Sequence, residues 1–126
     1  MTDTAIFDRI TFIGIGLIGS SMARVIKRDG LANHITVTTR SQETLDNAIE
    51  LGLCDTGTLD MAEAVQGADL VMICTPMGAF ASIGAEIAGS LKPGAIISDV
   101  GSVKEPVFET LAPALPDHVH LVPGHP

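Results

Sequence analysis

Ile10-Thr11-Phe12-Ile13-Gly14-Ile15-Gly16-Leu17-Ile18-Gly19-Ser20-Ser21-Met22 (residues 10–22) decides how the rest of the chain is read. An apolar run enters a G-x-G-x-x-G, and an apolar-periodic stretch leaves it. That strand, tight turn, helix order is what a dinucleotide-binding fingerprint requires. Each glycine has a physical reason to be there. Gly14 turns the chain off the strand, Gly16 lets backbone approach a pyrophosphate, and Gly19 lets the new helix lie close to the strand. Leu17 and Ile18, between the glycines, lie at the start of that helix, whose free N–H groups and positive dipole end suit an anion. Glycine-rich βα turns also occur for purely structural reasons, so the stretches around the motif must carry the rest.

Outward from it, strands and helices alternate. The pattern predicts a strand over 9–15, a helix over 17–28 with Met22, Val25 and Ile26 as its apolar stripe, and a strand over 34–39. Ser41 opens a helix to Glu50. Residues 54–57 read as a connection with room for a short third strand, followed by a helix over 60–66. ADLVMICT (68–75) is a strand buried on both faces. Helix 78–91, strand 95–100, a helix ending near Leu111 and a strand over 119–122 complete the order. Repeated right-handed β-α-β units make this a single α/β domain. It is a Rossmann-type, doubly wound, mostly parallel sheet with helices on both faces.

Composition agrees. Of 126 residues 46% are hydrophobic but only 3% aromatic, with no Trp or Tyr, so the core is aliphatic. A net charge of -8 argues against nucleic acid as a partner, because binding a phosphate backbone draws on basic surface. No apolar run approaches the ~20 residues that span a bilayer, so no membrane role is expected. The start has no signal-peptide pattern, and Cys54 and Cys74 have no metal-type spacing, which points to a reducing cytoplasm.

Ligands of doubly wound sheets sit beyond the carboxyl ends of the strands. The residues to watch are therefore Gly14 to Gly19, Thr39-Arg40, Thr75-Pro76, Val100 to Lys104 (with Gly101), and Gly124-His125. In NAD-preferring folds an acid ends the second strand and holds the ribose 2′-hydroxyl. Here Thr39-Arg40-Ser41 stands there. Arg40 can meet a 2′-phosphate with Thr39 and Ser41 donating hydrogen bonds, which favours NADP. An arginine can also lie over an adenine, which leaves NAD open, and a solvated loop arginine is the plain alternative. Ser102 fits an N-cap in Ser102-x-x-Glu105, but it also sits on the ligand edge with Lys104. His125, flanked by Gly124 and Pro126, can aim an imidazole at a cofactor's reactive end; a chain-end histidine without a role is the alternative. His118, His120 and His125 have no Cys, Asp or Glu to complete a metal set except distant Asp117, so no metal is expected.

GIGLIGSSMA (14–23), ADLVMICTP (68–76), LKPGAIISDVGSVK (91–104) and VPGHP (122–126) together resemble the prephenate/arogenate (cyclohexadienyl) dehydrogenases of tyrosine biosynthesis. The resemblance spans nearly the whole chain. GSVK followed by GHP separates it from 3-hydroxyacid dehydrogenases and pyrroline-carboxylate reductases, which share the glycine start. It implies an NAD(P)-dependent oxidative decarboxylation of prephenate or arogenate. It also implies that His125 removes the substrate hydroxyl's proton, that Ser102 assists His125 and lies near the nicotinamide, and that Lys104 lies on the same active-site rim; Gly101 is counted with the cofactor-binding residues. Many members of the family carry Asp where Thr39 stands. Members also continue past GHP into a mostly helical domain that forms a homodimer and supplies an arginine for the substrate carboxylate. On that reading residues 1–126 are the dinucleotide-binding domain, inactive alone. A non-catalytic NAD(P)-binding module, or a dehydrogenase or reductase of another substrate class, remains the rival.

Overall fold

A computed structural model of the chain describes residues 6–75, 80–99, 115 and 118–121. Six parallel strands form one sheet: β1 (Phe7–Ile13), β2 (Ala32–Thr38), β3 (Thr56–Thr58), β4 (Leu70–Ile73), β5 (Ile96–Asp99) and β6 (His120–Leu121). Their spatial order is β3-β2-β1-β4-β5-β6. The helices are α1 (Gly16–Asp29), α2 (Gln42–Glu50), α3 (Met61–Ala64) and α4 (Phe80–Ile87). The doubly wound parallel sheet inferred from the sequence is the observed one.

Alternation along β1 sets the two faces. Ile10 and Phe12 point into a buried cluster with Ala23 and Ile26 of α1 and Leu45 and Ala48 of α2. Ile13 points the other way, into a cluster with Met61 of α3 and Ile83 and Ile87 of α4. Thr11 shares that second face, and its hydroxyl donates to the Ala64 carbonyl at 2.6 Å, so a buried polar group on a central strand is satisfied. Phe12, fully buried, is the sole aromatic among the largest fully buried side chains; the rest are Ile and Val, as the composition predicts.

Several boundaries differ from the sequence reading, each for a local reason. The buried side of α1 runs Gly19, Ala23, Ile26, while Val25 is 40% exposed and does not belong to the stripe. Small residues at 19 and 23 bring the helix axis close to the sheet, which turns position 25 outward. The third strand exists, at Thr56–Thr58, paired with Thr36 to Thr38. Helix α3 ends at Ala64, earlier than expected, in a turn closed by Ala68 N–H donating to the Val65 carbonyl. The expected helix to residue 91 ends as α4 at Ile87 and tightens into a 3₁₀ turn, Ala88–Ser90, before Lys92-Pro93-Gly94. The expected helix ending near Leu111 lies outside the described residues. No helix among those described is long and apolar enough to cross a membrane.

The opposite edge of the sheet from the strand exits is tied by Asp69. Its carboxylate accepts from the backbone N–H groups of Asp8 (2.7 Å) and Arg9 (3.1 Å) and pairs with the Lys92 ammonium. Its own N–H donates to the Arg9 carbonyl, and its carbonyl accepts from Ile96 N–H, so one residue joins β1, β4 and β5. Burial alone would raise the Asp69 carboxyl; the hydrogen bonds from Lys92, Arg9 and Asp8 outweigh it and hold it below the ordinary carboxylate value. A lowered folded-state pKa adds stability above that ordinary value and loses it as pH falls through the lowered one. Asp69→Ala is therefore expected to cost about 1–2 kcal/mol at neutral pH. The gap to the native protein should close in acid. Urea unfolding at neutral and acidic pH checks this; a gap that stays constant with pH would refute it.

Candidate functional site

The β3-to-β4 connection reverses the direction in which strands are added, so the exits of β1 and β4 diverge into a crevice. Three loops meet there. Gly14 N–H donates to the Thr38 carbonyl at 2.7 Å, and Cys74 N–H donates to the Ile13 carbonyl at 2.8 Å, so the ladder holds the exits of β1, β2 and β4 together past the strand ends.

Gly14 takes φ +76°, and a Cβ there would lie 2.7 Å from Thr75 Cγ2. The turn therefore needs glycine twice over, for its backbone and for the neighbour's methyl. Gly16 has φ +53°, yet among the described residues, apart from its own chain neighbours and helix backbone, a Cβ on it meets nothing nearer than the Cys74 carbonyl oxygen at 4.0 Å. The described residues beyond its own turn leave the space above Gly16 open. At Gly19 a Cβ would lie 3.1 Å from Cys74 Sγ, so the close approach made here is to the β4 exit rather than to β1. Burial, with a smaller contribution from the Asp99 charge, pushes the Cys74 thiol up to about 12, which makes it a packing atom and not a nucleophile. Helix α1 starts without a side-chain cap on Ile15 and without an acid in its first turn. Side chains therefore leave the N–H groups there free to meet an anion. Of Leu17 and Ile18 only the backbone is described.

Beside this cradle is a cleft of about 190 Å³. Its apolar wall comes from Ile13, Met61 and Ile83, and its polar rim from Thr38, Thr39, Arg40, Thr44 and Thr75. The Thr38 and Thr75 hydroxyls are buried and have no hydrogen-bond partner among the described residues. An unpaired buried hydroxyl costs ~1–3 kcal/mol, and both lie on residues that line the cleft. An apolar slot beside orphaned hydroxyls, next to an uncapped helix start and an open glycine, fits the adenosine and pyrophosphate of a dinucleotide. Met61, Ile83, Thr38 and Thr44 were not singled out from the sequence. They come from four separate elements and carry no shared local motif.

At the β2 exit, Thr39 is buried and Arg40 exposed. Thr39 Oγ1 donates to the Ser41 carbonyl at 2.7 Å and accepts from Ser41 N–H at 3.3 Å. Ser41 Oγ accepts from Thr44 N–H at 3.3 Å and caps α2. That bond leaves the Ser41 hydroxyl proton available, whereas the Thr39 proton is already given to the Ser41 carbonyl. Arg40 makes no ion pair among the described residues. The structure thus brings Gly14, Gly16, Gly19, Thr39, Arg40, Ser41 and Thr75 to one edge. Pro76, Gly101, Ser102, Lys104 and His125 lie outside the described residues.

Residues 22–126 match the family described as "Prephenate dehydrogenase, nucleotide-binding domain". The chain is 42% identical to a cyclohexadienyl dehydrogenase of Zymomonas mobilis over 121 residues, 96% of this chain and 41% of that protein. Its fold is similar to prephenate dehydrogenase of A. aeolicus, solved in complex with hydroxyphenyl propionate and NAD+, with TM-score 0.83 and 29% identity over 94% of this chain and 41% of that one. Arogenate dehydrogenase of Synechocystis gives TM-score 0.81 and 30% identity over 94% of this chain and 40% of that one. The chain thus spans about two fifths of the relatives it matches. With that match covering most of the chain and the fold agreeing with those relatives, the chain belongs to the prephenate dehydrogenase nucleotide-binding domain family.

Proposed function

We propose that this chain is the cofactor-binding part of an NAD(P)-dependent dehydrogenase that oxidatively decarboxylates prephenate or arogenate in tyrosine biosynthesis. The observation that carries the reading is the glycine cradle and hydroxyl-lined cleft at the switch point of a sheet belonging to this family. The Gly14–Gly19 turn and the α1 start would hold the pyrophosphate, and the cleft between Thr38, Thr75, Met61 and Ile83 the adenosine. Pro76 and Gly101 would join them as cofactor-binding residues on the family resemblance. NADP is favoured over NAD, because no acid ends β2 and Arg40 is free to meet a 2′-phosphate.

When bound, the nicotinamide supplies the hydride acceptor. The chain's own contribution is proton handling and exclusion of alternatives. His125 takes the proton from the ring hydroxyl, since an imidazole titrates near neutral pH. Loss of that proton pushes electrons toward the carbinol carbon, whose hydride leaves. The ring carboxylate departs as carbon dioxide, and the ring becomes aromatic. Ser102 holds the imidazole in orientation, and Lys104 lies on the substrate side for an anionic group. A helical domain that dimerises and grips the substrate carboxylate would complete the enzyme, which works in the cytoplasm on a small-molecule substrate.

The test is direct. The enzyme, given prephenate or arogenate with NAD or NADP, should accumulate reduced nicotinamide, read by its absorbance. No reduction with either substrate and either cofactor would falsify the proposal.

A further inference from the structure

We infer that Thr39 is a positioning residue for cofactor choice: it does not touch the ligand, but locks the turn that presents Arg40 and the Ser41 hydroxyl to a 2′-phosphate. The inference rests on the dinucleotide-binding reading above and deepens it.

Thr39 occupies the place where NAD-preferring folds put the ribose-binding acid. A threonine there would naturally be assigned a direct hydrogen bond to the ligand. Its geometry argues otherwise. The hydroxyl donates to the Ser41 carbonyl at 2.7 Å and accepts from Ser41 N–H at 3.3 Å, so both its donor and an acceptor site are used within the turn. The residue is only 9% exposed, which leaves little of it for a ligand to reach. What the bonds do is span Arg40. They fix the backbone on both sides of Arg40, which lines the cleft and pairs with no acid among the described residues.

Ser41 is held by the same lock. Its N–H and carbonyl are both bound to Thr39, and its Oγ accepts from Thr44 N–H at 3.3 Å. With the oxygen pinned, the hydroxyl proton is the one free donor, and it rotates about a fixed centre. Two cationic or protic donors on adjacent residues, held by a third that is itself saturated, make a small anion recess. The recess adjoins the cleft, whose rim Arg40 helps to form. A phosphate on the ribose of an adenosine lying in the cleft is the anion that fits. Fixing the backbone that carries the arginine before binding removes part of the entropy that binding would otherwise cost. Thr39 therefore acts on the phosphate through its neighbours.

The test uses two small probes that differ by the phosphate alone, 2′,5′-ADP and 5′-AMP, titrated calorimetrically into the full chain. Thr39→Val keeps the shape and removes both hydrogen bonds. It is expected to weaken 2′,5′-ADP about tenfold and to leave 5′-AMP unchanged. Thr39→Ser, which keeps the hydroxyl, should restore the native ratio. In an Arg40→Ala background, Thr39→Val should add little further loss. An equal loss of both probes would mean a merely structural role and overturns the inference, as does an unchanged ratio. Full loss persisting in the Arg40→Ala background would mean that Thr39 contacts the phosphate directly, and overturns it too. Thermal unfolding of each variant confirms that the protein titrated is folded. Failure of the native chain to bind either probe overturns the dinucleotide reading and this inference with it, whereas binding with an unmoved ratio overturns the inference alone.

Discussion

Gly14→Ala should lower stability and abolish dinucleotide binding together. The alanine must adopt φ +76°, which costs ~1–2 kcal/mol for a residue with a Cβ. It must also place that Cβ 2.7 Å from Thr75 Cγ2. Thr75 is β-branched and sits on the β4 exit, so the methyl cannot simply swing aside. Overpacking of this kind adds ~1–3 kcal/mol, giving a total of about 2–5 kcal/mol, a large part of a small domain's stability. Gly16→Ala is the informative partner. Its φ of +53° carries the backbone cost, but among the described residues beyond its own turn no atom lies nearer its Cβ than 4.0 Å. Stability should fall by only ~1–2 kcal/mol while dinucleotide affinity drops at least about tenfold, because the added methyl fills space the protein leaves open. Urea unfolding and cofactor titration of the two variants separate the effects. A Gly16→Ala protein that binds as tightly as the native one would remove the cradle from the site.

The second large effect belongs to His125. On the proposed chemistry, His125→Asn keeps a hydrogen-bonding side chain of similar reach but cannot accept a proton. The expected result is a fall in kcat of ~10²–10⁴, with cofactor affinity nearly unchanged. The acid limb of the native rate profile, set by protonation of the imidazole, should vanish in the variant. Steady-state kinetics with prephenate or arogenate across pH, together with cofactor titration, measures both. Parallel losses in kcat and in cofactor affinity would assign His125 to folding or binding and not to proton removal.

The architecture was legible because its signals are local. Strand β1, the glycine turn and helix α1 lie within one stretch, and ADLVMICT announced a strand buried on both faces. The ends were less legible. Val25 looks apolar enough for a buried stripe, but Gly19 and Ala23 decide the helix orientation by being small, and that is a property of the sheet they meet. The site divides the same way. Gly14, Gly16 and Thr75 could be found from their places after strands. The apolar wall of the cleft could not, because Met61 and Ile83 reach it from α3 and α4 and are ordinary core residues in sequence. Nor could the saturation of the Thr39 hydroxyl, which depends on the backbone path two residues on. The sequence marked Thr39 by what it replaces; its hydrogen bonds say what it does.

One pairing bears on how the molecule comes into being. Ile10 is bonded across one side of the sheet to the Ile35 register and across the other to that of Leu70. The first contact closes a short βαβ loop, the second a chain segment containing two further strands. Closure entropy grows with the length enclosed, so the β1–β2 unit is the cheaper to form and the β1–β4 seam the later. Yet Cys74 and Thr75, which lie against Gly19 and Gly14, arrive only with β4. A folding chain therefore owns its glycine turn well before it owns a floor beneath it, and nascent chains arrested before residue 75 would carry the signature of a nucleotide site without a pocket.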